Sequence, residues 1–96
     1  MSNEEITQKI IPLIVQAGAT RAGLFGSAAR GELTSESDVD VLVDLPAGTT
    51  LLDFITLKMR LEDALGRSVD LVEYEALKPR MKNAILNEEI RVYDQK

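Results

Sequence analysis

Asp38 and Asp40 stand two residues apart in the alternating stretch Asp38-Val39-Asp40-Val41-Leu42-Val43-Asp44-Leu45. On a strand, residues two apart point the same way, so this spacing sets two carboxylates side by side. At about 4 Å they repel by roughly 1 kcal/mol in water and several times that in a protein cleft. A fold has no structural reason to build such a pair, but a divalent cation supplies one. Mg²⁺ takes oxygen ligands, keeps several waters and shares itself with substrate phosphates. Asp70 interrupts the apolar run Val69-Asp70-Leu71-Val72 and is the natural third ligand. Upstream, Gly26-Ser27 follows the apolar stretch Ala22 to Phe25 and offers backbone N–H groups and a hydroxyl. A glycine there lets a ligand approach the backbone, and such turns favour phosphate. Arg30 adds a positive charge that either neutralises phosphate or pairs with an acidic neighbour. Together these residues describe a site for a metal-bound polyphosphate.

The elements that must position them follow from periodicity and punctuation. A helix is expected over 3–17, with Ser2 and Glu5 as a capping box and Ile6, Ile10, Leu13 and Ala17 at helical spacing. Pro12 predicts a kink or an early stop, and Gly18 a terminus. A strand over 22–25 leads into a tight turn and a short helical turn. Strands follow over 38–45 and 68–74, and a helix over 51–65 ends at Gly66. Nine of the fifteen residues of that helix are apolar, a stripe wider than one sheet contact needs. It fits either a partner helix or a thin domain covering both sides. A last helix spans 79–89, with proline in its first turn, and 91–93 reads as a short final strand. The expected fold is α/β (α+β), a small mixed sheet with helices packed on it, in one domain over 1–96.

Composition narrows the chemistry. The 96 residues contain neither cysteine nor histidine, which excludes disulfides, thiol nucleophiles, Ser-His-Asp triads and HExxH sites. The net charge of -5 argues against direct nucleic-acid binding. No apolar run approaches the roughly 20 residues of a membrane span. The acidic start, Met-Ser-Asn-Glu-Glu, does not read as a signal peptide, so a cytoplasmic location is expected.

Gly26-Ser27, ten residues, then Asp38-Val39-Asp40 resembles the signature of the DNA polymerase β-type nucleotidyltransferases. More narrowly, Leu24-Phe25-Gly26-Ser27-Ala28-Ala29-Arg30-Gly31 followed by Ser37-Asp38-Val39-Asp40-Val41-Leu42-Val43 looks like the minimal nucleotidyltransferase (MNT) branch. The resemblance implies a nucleotidyltransferase fold and transfer of a nucleoside monophosphate with loss of pyrophosphate. Asp38, Asp40 and Asp70 would hold two Mg²⁺ ions, and Mn²⁺ would fit the same oxygens. Asp70 would also help deprotonate the attacking hydroxyl. Gly26, Ser27 and Arg30 would hold the phosphates of ATP.

Larger relatives carry a helical domain for the acceptor, which this chain has no room for. The acceptor surface is therefore expected from a self-associated copy or another protein. Many members of the MNT branch resemble the antitoxin of a two-gene pair whose partner is a helical HEPN ribonuclease toxin. The resemblance implies transfer of AMP to a tyrosine of that toxin. Two alternatives stay open: an antitoxin that neutralises its toxin by occlusion alone, and a transferase acting on a small aminoglycoside-like alcohol.

Overall fold

Among the described residues, alternating and helical apolar patterns resolve into four strands and four helices. The computed structural model describes residues 1–95. The chain runs α1 (Asn3–Gln16), β1 (Arg21–Phe25), α2 (Gly26–Ala29), β2 (Val39–Asp44), α3 (Leu51–Leu65) and β3 (Val69–Glu73). A 3₁₀ turn (Tyr74–Ala76), α4 (Pro79–Glu88) and β4 (Ile90–Asp94) complete it. The sheet order is β3-β2-β1-β4. β1 pairs antiparallel with β2 and β4, whereas β2 and β3 are parallel. Parallel neighbours need a crossover, and α3 supplies it. The fold is the mixed α/β arrangement expected, with β4 a full edge strand.

One sheet face carries Ala22, Leu24, Val39, Val41, Val43, Val69 and Leu71. It packs on Ile6, Ile10 and Ile14 of α1 and on Leu57, Leu61 and Leu65 of α3. Each helix repeats its core residue every four positions, so one stripe meets the sheet. Burial of these side chains, at roughly 1.5–3 kcal/mol each, drives the fold. The opposite face bears Gly23, Phe25, Asp40, Leu42 and Asp70. Leu42, which shares the aspartates' side of β2, is fully buried, because the turn containing Tyr74 lies against β2.

Helix α1 has the expected capping box, Ser2 accepting from the Glu5 N–H at 3.1 Å. It runs through Pro12 to Gln16, so the early stop does not occur. Pro12 and Gln8 both lie on the exposed side, where water can take the carbonyl that proline leaves unbonded. Strand β2 starts at Val39, one residue later than expected, and β3 ends at Glu73 as Tyr74 enters the 3₁₀ turn. Among the described residues no helix is long and apolar enough to cross a membrane.

Candidate active site

Parallel pairing of β2 with β3 sets the site. Asp40 and Asp70 are register partners on neighbouring strands, which lie about 4.8 Å apart. Residues directly opposite share a face, so the two carboxylates stand together. Asp38 precedes Val39, the first residue of β2. Asp40 is half-buried, whereas Asp38 and Asp70 are exposed, which makes the site an open shelf. A groove of about 370 Å³ lies elsewhere, where Leu45 to Thr49 pass between α1 and α3.

The glycine turn closes one side of the shelf. Phe25 is the register partner of Asp40, so Gly26 begins beside it. Gly26 has φ +65°, and a Cβ built on it would fall 2.1 Å from Asp40 Oδ2. Only glycine allows both that backbone conformation and that approach. Its N–H donates to Glu88 Oε1 at 3.1 Å. Arg30 Nη1 donates to both oxygens of Glu88, at 3.0 and 3.1 Å, and its Nε donates to Glu32 at 2.7 Å. Of the two roles open to Arg30, pairing with acidic neighbours is the one it has here, and the glutamates hold its guanidinium above its ordinary pKa. Ser27 is half-buried in α2.

Three further residues shape the site without belonging to its motif. Glu88 comes from the end of α4. Arg67, from the turn before β3, donates through Nε and Nη2 to the Ser37 carbonyl at 3.2 and 2.7 Å, and also to the Thr34 carbonyl. It thereby clamps the loop that delivers Asp38. Glu62 Oε2 accepts the Val69 N–H at 3.0 Å and fixes the start of β3 one residue before Asp70. That hydrogen bond holds the Glu62 carboxyl below its ordinary pKa. These contacts join residues 7 to 62 positions apart, which spacing in the chain does not announce.

Electrostatics mark the aspartates. Burial pushes the Asp40 carboxyl up to about 6, and Asp70, Asp38 and Glu88 push the same way, with Arg30 opposing. Among the described residues no side-chain hydrogen bond or ion pair reaches Asp38, Asp40 or Asp70. Nor is any group of three acidic side chains drawn up as a finished cation cage. The donor set nevertheless fits a hard divalent cation: carboxylate oxygens only, crowded, and short of positive charge.

Comparison with known proteins decides the family. A family model described as polymerase beta, nucleotidyltransferase, matches residues 8–96. The chain belongs to that nucleotidyltransferase family. It is 45% identical over 92 residues to a candidate protein adenylyltransferase of Methanocaldococcus jannaschii, covering 96% of this chain and 99% of that one. It is 44% identical over 75 residues to protein adenylyltransferase MntA of Thermococcus cleftensis, 78% of this chain and 76% of the relative. A solved structure of a candidate minimal nucleotidyltransferase superposes with a TM-score of 0.82 at 41% identity, covering 94% and 95% of the two chains. A complex of tri-AMPylated Shewanella oneidensis HEPN toxin with MNT antitoxin contains a chain of the same fold. There the TM-score is 0.74 at 20% identity, over 95% of this nucleotidyltransferase and 71% of that chain.

Proposed function

We propose that this nucleotidyltransferase moves AMP from ATP to a hydroxyl of a partner protein, a tyrosine of a HEPN-type toxin, and acts as its antitoxin. The observation that carries the reading is the meeting of Gly26, Asp40 and Asp70 on one shelf. On that shelf a glycine turn stands beside crowded carboxylates, the pairing that a metal-bound polyphosphate calls for. Its openness suits an acceptor residue presented by another folded protein. The names of the two adenylyltransferase relatives and the AMPylated toxin complex point the same way.

In this reading Asp38 and Asp40 hold Mg²⁺ with the triphosphate, and Asp70 completes the set for a second ion. Bound there, the ions offset the charge of attacking and leaving oxygens. The Gly26 N–H and the Ser27 hydroxyl hold the outer phosphates, and Arg30 stands near them. The acceptor oxygen bonds to the α-phosphorus as the bond from that phosphorus to the β-bridging oxygen breaks. Pyrophosphate leaves, and Asp70 takes the acceptor's proton. The chain has no histidine, so a carboxylate is the base at hand. The cytoplasm, with its ATP, is the compartment this chemistry calls for.

The test is label transfer from α-phosphate-labelled ATP with Mg²⁺, with and without the product of the adjacent gene. The expected result is label on that partner, lost in Asp38→Ala/Asp40→Ala with the fold intact. Label unchanged in the double variant would overturn the proposal. A tight complex without label would leave occlusion alone, and label on a small alcohol without protein would move the acceptor class.

A further inference from the structure

We propose that Glu88 is a built-in competitor for the nucleotide: without nucleotide, its carboxylate holds the groups that the outer phosphates would take. The inference rests on the reading above, in which Gly26 and Arg30 face the triphosphate. Glu88 Oε1 accepts the Gly26 N–H at 3.1 Å, and both its oxygens accept from Arg30 Nη1 at 3.0 and 3.1 Å. A carboxylate and a phosphate seek the same donors, charged guanidinium and backbone N–H. One N–H cannot serve both at full strength.

The element that carries Glu88 is lightly held. Helix α4 has no buried residue and no side-chain cap, and residues 79–84 are all exposed. The next residue is firmly held. The Glu89 side chain is only 4% exposed and takes the Tyr74 hydroxyl and the Arg91 guanidinium. Glu89 also leaves the helix, at φ -58° and ψ 137°. The end of α4 can therefore release the cradle while β4 stays in the sheet. Apparent nucleotide affinity then scales with the fraction of molecules whose cradle is open.

Isothermal titration of the full chain with Mg²⁺ and a non-hydrolysable ATP analogue tests this, with unchanged circular dichroism as the check on folding. Glu88→Gln keeps the shape and removes the charge, and should bind about tenfold tighter if the cradle is open about a tenth of the time. Glu88→Asp keeps the charge but cannot span the same distance, and should also bind more tightly than the native chain. Equal or weaker binding by Glu88→Gln would overturn the proposal and leave Glu88 as a support for Arg30. Tighter binding by Glu88→Gln with Glu88→Asp unchanged would also overturn it, in favour of repulsion through space. Binding by neither the native chain nor any variant would overturn the proposed AMP transfer from ATP, and the competitor with it.

Discussion

Gly23, within β1, and Gly26, just after its end, each make room for a carboxylate, and the two carboxylates are treated oppositely. A Cβ on Gly23 would lie 2.0 Å from Glu89 Oε2, and one on Gly26 would lie 2.1 Å from Asp40 Oδ2. Glu89 is satisfied: the Tyr74 hydroxyl and two nitrogens of Arg91 donate to it. Burial and Glu89 push the Tyr74 phenol above its ordinary pKa, and Glu89 pushes Arg91 up. Arg21 stacks on that tyrosine, its guanidinium 3.9 Å from the Tyr74 ring centre. Asp40 has no such partner and sits among Asp38, Asp70 and Glu88. The same steric device thus serves structure at one position. At the other it holds unspent negative charge, which is what a cation carrying a polyphosphate would use.

Exchanging each glycine for alanine separates the two roles. Gly26→Ala should lower AMP transfer at least 100-fold, since even outer partners of a metal site are worth about 10–100-fold. The new methyl displaces Asp40, and the left-handed backbone adds about 1–2 kcal/mol of strain. Gly23→Ala should cost about 1–3 kcal/mol of stability, as overpacking does. The Glu89 carboxylate cannot swing aside freely, because Tyr74 and Arg91 hold it. Transfer per folded molecule should stay within about twofold, since additions away from the chemistry act mainly on stability. Thermal melts and label transfer on both variants check this. A stable Gly23→Ala chain without activity would place Glu89 in the chemistry rather than in the fold.

A smaller effect is expected on the loop side of the site. Arg67→Ala frees the Thr34 and Ser37 carbonyls and loosens the approach to Asp38. The rate constant for transfer should fall roughly tenfold, the scale of a lost charge-assisted hydrogen bond. The KM for ATP should move less, and Arg67→Lys should recover part of the rate. An equal rise in KM with kcat unchanged would show that Arg67 supports binding rather than alignment.

Local chemistry was legible before the fold was known. The capping box at Ser2 and Glu5, the stop at Gly66 and the same-face placement of alternating residues in β2 need only near neighbours. The motif residues Gly26, Asp38 and Asp40 could be read the same way. Asp70 stands out as a polar break in an apolar run, and the parallel register brings it opposite Asp40. What stayed hidden depends on tertiary packing. Glu88 reaches Gly26 across 62 positions, and Arg67 reaches Ser37 across 30. Neither carries a local mark, because both look like ordinary charges on a helix and a turn. The effect of Pro12 depends on packing too: α1 continues past it where the carbonyl it frees faces water.

Asp40 carries charge that the protein itself does not balance. Its carboxyl holds a proton more tightly in the fold, near 6, than its ordinary value of 3.8. The stability this lends is complete below about pH 4 and is lost as the pH rises through about 6. The direct measurement is the melting temperature of the native chain and of Asp40→Asn at pH 4.5 and 7.5, with and without Mg²⁺ and a non-hydrolysable ATP analogue. Asp40→Asn should melt higher than the native chain at pH 7.5, by a margin that shrinks at pH 4.5. Ligand should raise the melting temperature of the native chain alone. A variant that melts no higher at pH 7.5 and gains as much from ligand would contradict an unbalanced charge at Asp40.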